Sequence, residues 1–260
     1  MILGCERSRN FTGQMDPTII LPLTRLAARN VRVADLGKID FKSAWDLQEE
    51  LVKELVEIKV QNRERTAEDR IIPEHHFLLC EHYPVITLGK NGSMKNLLLT
   101  QDGLNDNQIS FFKINRGGDI TYHGPGQLVG YPILDLDYFF TDIGKYLRLV
   151  EETIILTLKE YGIEAGRSEG ETGVWLEPSS PSRARKICAI GIRCTRWITM
   201  HGFAFNVNTN LDHFNFIVPC GIGNKQVTSL QKELGRDVEL DEVKEKIKRH
   251  FAQLFSATLV

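Results

Sequence analysis

Between Arg116 and Gln127 the chain reads Arg-Gly-Gly-Asp-Ile-Thr-Tyr-His-Gly-Pro-Gly-Gln. Four glycines, a proline, an arginine and a histidine thus fall within twelve residues. A packed core has no use for that mixture. Glycine costs backbone entropy and supplies no packing, so clustered glycines mark a backbone that turns sharply or approaches something closely. Arg116 brings fixed charge and His123 brings proton-transfer chemistry. Apolar runs, Ile109–Ile114 and Leu128–Leu136, flank the segment. It is therefore a loop or strand-edge segment on a rigid sheet, a usual place for a binding site. No Gly-Lys-Ser/Thr follows the glycines and their spacing is not GxGxxG, so those patterns give no support to a nucleotide-phosphate cradle.

Two further residues could carry chemistry. Cys220 sits in Ile-Val-Pro-Cys-Gly-Ile-Gly, residues 217–223. One reading is a buried, inert cysteine at a turn. The other is a nucleophile, which needs an exposed turn and a partner that lowers a thiol pKa near 8.5. Pro219 and Gly221 supply the turn. Lys186, at the head of the apolar run Ile187–Ile192, is the candidate partner. A lysine there is either a solvated strand end or a cation facing a cleft, in which case it and the thiol titrate as one unit. Their numbers differ by 220 − 186 = 34 residues, and sequence alone does not bring them together. His201-Gly202 and His82-Tyr83-Pro84-Val85 are open to a structural reading as well as a functional one. A zinc set of Cys188, Cys194, His201 and Cys220 can be written down. Its spacing matches no usual ligand pattern and would spread along a strand, so no metal is expected.

Three helices and a series of strands must position these groups. Ala44, Leu47, Leu51, Leu55 and Ile58 recur at steps of three and four behind an Asp40 or Ser43 cap. Ile143, Leu147, Val150, Ile154 and Leu158 do the same, with Asp142 as cap and Gly162 as stop. Val243, Ile247, Phe251 and Leu254 mark a third helix over 241–255. Glu49/Lys53 and Glu242/Lys246 have the spacing of helical ion pairs. His75–Cys80, Val85–Leu88, Ile109–Ile114, Val129–Leu136, Val174–Leu176 and the long run Ile187–Val207 read as strands. Asn91-Gly92 reads as a turn, and Glu177–Arg185 as a polar surface loop. Clustered strands broken by a few helices favour an α+β fold over βαβ alternation.

Composition sets outer bounds. With 260 residues, 42% of them hydrophobic, the chain can bury a substantial core. A net charge of −2 makes no case for nucleic acid. No run approaches the ~18 apolar residues of a membrane helix. Five scattered cysteines without a CxxC pair are no disulfide framework and point to a reducing, cytoplasmic setting. Residues 1–30 are weakly patterned and are read as an extension, with a single catalytic domain over 31–260.

These segments resemble the octanoyl (lipoyl) transferases of lipoyl-protein biosynthesis. The likeness rests on His82–Val85, the Arg116–Gln127 run, Gly173-Val174-Trp175, Lys186-Ile187 with Ala189-Ile190-Gly191, His201–Ala204, Asn206-Val207-Asn208 and Pro219-Cys220-Gly221. It implies a mixed sheet packed by helices, a fold shared with lipoate and biotin protein ligases. It implies that octanoyl-acyl carrier protein is the donor. The acceptors would be lipoyl domains of 2-oxoacid dehydrogenases and the glycine cleavage H protein, with no cofactor. By matching motifs, Cys220 is the acyl-thioester nucleophile and Lys186 the residue that lowers its pKa. The substrate-contacting residues fall on Arg116, Gly117, Gly118, Asp119, Ile120, Thr121, Tyr122 and His123, on Ala189, Ile190 and Gly191, and on Gly202, Phe203 and Ala204. An ATP-dependent ligase on the same fold, which needs no cysteine, a cysteine thioesterase and a non-catalytic carrier-binding module are the rival readings.

Overall fold

A computed structural model describes residues 29–218 and 226–260. Cys220 and residues 1–28 of the N-terminal extension lie outside the described residues, while Asn30 of that extension begins the first strand. The eleven strands are β1 (Asn30–Ile39), β2 (His75–His82), β3 (Val85–Leu88), β4 (Ser110–Lys113), β5 (Ile120–His123), β6 (Gln127–Ile133), β7 (Val174–Leu176), β8 (Arg185–Thr195), β9 (Ile198–Asn206), β10 (Gln226–Val227) and β11 (Thr258–Leu259). The helices are α1 (Phe41–Gln61), α2 (Gln101–Asp106), α3 (Ile143–Glu160), α4 (Leu230–Leu234) and α5 (Leu240–Phe255).

Eight strands form a mixed sheet in the order β10-β8-β9-β6-β2-β1-β11, with β7 also paired to β8. A second sheet, β4-β3-β5, has three strands. Side chains alternate across the large sheet, and both faces are covered. From β2, Phe77 and Leu79 join a core with Val150, Ile154 and Leu158 of α3 and Val243, Ile247 and Phe251 of α5. Leu78 and Cys80 point the other way, to Ala44, Val52 and Leu55 of α1. The same alternation in β9 sends Phe203 and Phe205 to the first core and Ala204 to the second. One helix stripe meeting one face of the sheet is the arrangement that closes each apolar surface. The α+β expectation is met. No helix among the described residues is long and apolar enough to cross a membrane.

The three long helices stand where the periodicity put them. The Asp40 carboxylate accepts from Ser43 N and that of Asp142 from Lys145 N, so both caps form. Of the two anticipated ion pairs, Lys246–Glu242 forms at 3.4 Å. Glu49 instead binds Arg193 of β8 at 2.7 Å, and Lys53 meets Glu57. A half-buried cross-element partner outcompetes an exposed neighbour on the helix. The run read as one strand over 187–207 is a hairpin. Arg196 and Trp197 both adopt positive φ, 53° and 66°, and return the chain from β8 to β9. β1 had no signal as a strand: Arg32, Asp35 and Lys38 mask the pattern, and it is held between β2 and β11 by pairings distant in sequence.

Candidate active site

A cavity of about 560 Å³ opens between the two sheets. One wall is the glycine-rich run: Arg116 to Thr121, then His123. The facing wall comes from the β8–β9 hairpin, through Ala189–Ile192 and His201–Ala204. Lys186 and Val227 line it where β8 and β10 run side by side. Of the described residues that the resemblance assigns to the site, all but Tyr122 line this cavity, and Cys220 lies outside the described residues. Tyr122 points away from the cavity, and its hydroxyl is bonded to His213 Nδ1 at 2.7 Å. Alternation along β5 requires this, since Thr121 and His123 take the cavity side. Phe41, Leu147, Phe214 and Gly170–Thr172 also line the cavity. Their sequence neighbourhoods carry no motif; only tertiary folding brings them here.

The glycine-rich loop is tightly pinned. Gly117 N donates to Ile192 O of β8 at 2.9 Å, which joins the two walls. Lys90 N and Asn91 N donate to Arg116 O and Gly118 O. The Arg116 guanidinium is buried and anchors the loop to β3, with Nη2 2.9 Å from both Thr87 O and Thr87 Oγ1. It gives the site charge and also holds the wall in place. At the end of the run Gly126 has φ +78°, and its N–H donates to the Glu81 carboxylate at 2.6 Å. A side chain there would meet Asn208 O at 2.5 Å.

Lys186 is set by packing from behind. Its ammonium lies 4.6 Å from the centre of the Trp175 ring, on the neighbouring strand β7. Gly173, just before β7, has φ +127°, and a Cβ there would lie 2.6 Å from Cys188 O. The fully buried Glu151 of α3 accepts from Gly173 N at 3.0 Å and pairs with Arg148 and Arg167. The Gly173-Val174-Trp175 motif is therefore the mount on which the Lys186 side chain rests.

The described chain on both sides of residues 219–225 is tied to this cavity. Val218 N donates to Asn96 O, and the Asn96 amide donates to the carboxylate of Asp119 in the glycine-rich loop at 2.6 Å. Beyond the gap Val227 pairs with Lys186, and Thr228 N donates to Lys186 O. Cys80, Cys188 and Cys194 are the described cysteines, and burial pushes all three thiols up, away from the thiolate.

Two cavity histidines are held neutral. Burial pushes His123 down to about 3, with the charges of His82 and Arg116 acting in the same direction. Burial likewise pushes His201 down to about 3, helped by Arg116 and Arg193. His201 also holds φ +59° within β9, a conformation costing about 1–3 kcal/mol that its surroundings must impose. Its N–H donates to the buried Gln48 Oε1. In the unfolded chain each imidazole takes up a proton near 6.5, whereas in the fold each stays neutral down to about 3. The unfolded state binds more protons throughout that window. Stability is expected to fall as pH drops below about 6.5, by up to about 1.4 kcal/mol per histidine per pH unit. Urea unfolding between pH 7 and 5 measures this; a flat unfolding free energy contradicts it.

Residues 40–252 match the model of the lipoyl protein ligase A/B catalytic domain. The chain is 56% identical over 232 residues to the octanoyltransferase of Christiangramia forsetii, covering 89% of this chain and 98% of that one. It is 57% identical over 234 residues to the octanoyltransferase of Flavobacterium johnsoniae, covering 89% and 99%. Among solved structures it is similar to the bi-partite lipoate protein ligase of Thermoplasma acidophilum, with TM-score 0.61, 16% identity and coverage of 89% and 85%. It is similar also to lipoate-protein ligase A bound with ATP, with TM-score 0.59, 16% identity and coverage of 89% and 88%. At such identities the structural likeness speaks to the fold, and the sequence relatives speak to the family. This chain belongs to the lipoyl protein ligase A/B catalytic-domain family and, within it, to the octanoyltransferases.

Proposed function

We propose that this acyltransferase takes octanoyl from octanoyl-acyl carrier protein, holds it on Cys220 as a thioester and passes it to a lysine amine of a lipoyl domain. The acceptors are the lipoyl domains of 2-oxoacid dehydrogenases and the glycine cleavage H protein. The observation that carries this reading is a cavity with apolar walls, of the size that takes a small ligand, with Lys186 on its lining. Cys220 is two residues from Val218 and six from Gln226 in the chain, and both of those flanks are bonded to the cavity's own elements. The raised thiols of the described cysteines, Cys80, Cys188 and Cys194, leave them poor candidates for the nucleophile.

The chemistry suits these groups. Exchange of one thioester for another is nearly balanced in free energy, so a cysteine accepts the acyl chain without ATP. Transfer to an amine is downhill, because an amide is more stable than a thioester. Its obstacle is the proton on an acceptor amine with a reference pKa near 10.4. Lys186 gives its proton to the departing carrier-protein thiolate in the first step, and the neutral amine so formed takes the proton of the acceptor amine in the second. Backbone N–H groups of the glycine-rich walls serve the tetrahedral oxyanion. The glycine-rich run, Ala189–Gly191 and Gly202–Ala204 hold the acyl chain.

Intact-mass measurement tests the reading. With octanoyl-acyl carrier protein and no ATP, an octanoyl adduct is expected on Cys220, and it should move to a lipoyl domain added afterwards. Acylation that requires octanoic acid and ATP would favour a ligase, and release of free octanoate before transfer a thioesterase.

A further inference from the structure

His123 belongs to a buried chain of hydrogen bonds whose direction is set at two carbonyl oxygens. Asn206 Nδ2 donates to Thr228 O at 3.0 Å, because a carbonyl only accepts. Asn206 Oδ1 therefore faces Gln127 and accepts from its Nε2 at 2.9 Å. The same Gln127 nitrogen donates to Tyr122 O at 3.1 Å. With both amide hydrogens so used, Gln127 offers only Oε1 to His123, and His123 Nδ1 lies 2.8 Å from it. Nδ1 must therefore carry the proton. A neutral imidazole has one N–H, so Nε2 is a bare acceptor. The ring stacks against Phe41 at 6.1 Å between centroids and lines the cavity. Among the described residues Nε2 has no hydrogen-bond partner. An acyl chain carries no donor for it, and an acceptor left without a donor in a closed complex is destabilising.

We propose that His123 Nε2 accepts a hydrogen bond from an N–H of the bound substrate, and that Gln127 and Asn206 are positioning residues that hold His123 in the Nδ1–H tautomer for this purpose. The inference rests on the acyl-transfer reading above. Two substrate groups share the required chemistry: an amide N–H of the donor's thioester arm, and the amine of the acceptor lysine. His123 binds either without taking the proton away, which leaves base chemistry to Lys186.

The tautomer is read directly from ¹⁵N shifts of the histidine rings in the intact protein, assigned by comparison with His123→Asn; the Nδ1–H form is expected, and Nε2–H overturns the proposal. Function is read in two half-reactions, acylation by octanoyl-acyl carrier protein and transfer from the acylated enzyme to a lipoyl domain. His123→Asn, whose amide reaches only the Nδ1 position, is expected to slow one half-reaction about tenfold. His123→Gln, which restores an acceptor near the Nε2 position, should recover most of that loss. Slowed acylation identifies the donor amide, and slowed transfer the acceptor amine. Unchanged rates in both, or equal losses in the Asn and Gln variants, overturn the role. If wild-type enzyme forms no adduct on Cys220, the nucleophile reading fails by itself, and the same variants are then compared on the overall transfer rate.

Discussion

Cys220→Ser is expected to abolish the octanoyl adduct and to lower transfer to a lipoyl domain by about 10³-fold or more. A hydroxyl is a far weaker nucleophile than a thiolate at neutral pH, and no lysine brings a serine near ionisation. The enzyme should still fold, because the described cavity walls come from the glycine-rich run, β5, β8 and β9 and serine differs from cysteine by one atom. Intact mass and single-turnover transfer read the two halves of this prediction. An adduct that persists in the Ser variant, on any residue, removes Cys220 from the mechanism. The described cysteines offer no ready substitute, since Cys80 and Cys188 are buried in the two main cores.

Lys186→Met is the second large effect. Methionine keeps an apolar stem against Trp175, over which the ammonium now sits at 4.6 Å, and removes only the charge and the proton-carrying nitrogen. Loss of a positioned proton-transfer group is expected to cost about 10²–10⁴-fold in overall transfer. The pH profile distinguishes this from a packing defect. Without the cation, acylation should depend on ordinary thiol ionisation, rising with pH toward the reference value near 8.5. Transfer to the amine should remain slow until the acceptor lysine deprotonates by itself. A variant with unaltered rate, or with a uniformly scaled rate and the wild-type profile, shows that Lys186 is a strand-end residue after all.

Much of this was legible in the chain. The apolar periods of α1, α3 and α5 located those helices, because a helix that must bury one stripe writes that stripe locally, every three or four residues, and Asp40 and Asp142 marked the starts of the first two. Val85–Leu88 and Val174–Leu176 could be read to the residue for a similar reason: short runs buried on both sides are mostly apolar and β-branched or aromatic. The glycine-rich run announced a close approach, and the structure sets Gly117 N 2.9 Å from Ile192 O of β8. Other elements escaped. β1 is charged along its exposed positions and owes its existence to partners at residues 75–82 and 258–259. The turn at Arg196-Trp197 contains no glycine, asparagine or proline, so nothing marked the point where one apolar run becomes two strands.

The same division holds for the site. Local sequence determined which kinds of groups are present: a thiol in a Pro-Cys-Gly segment, a lysine heading an apolar strand, a histidine after a paired glycine, and the motif order that marks the octanoyltransferases. These are properties of short segments, and short segments carry them. Tertiary structure alone decided which way each side chain points and in what state it is held. Strand alternation turned Tyr122 away from the cavity while His123 faces it. The carbonyl of Thr228, 105 residues from His123 by number (228 − 123), sets which ring nitrogen carries the proton. Burial between two sheets then keeps that ring neutral. Orientation, tautomer and charge state depend on dielectric and on partners brought in from distant strands, and neither is written in the neighbouring residues.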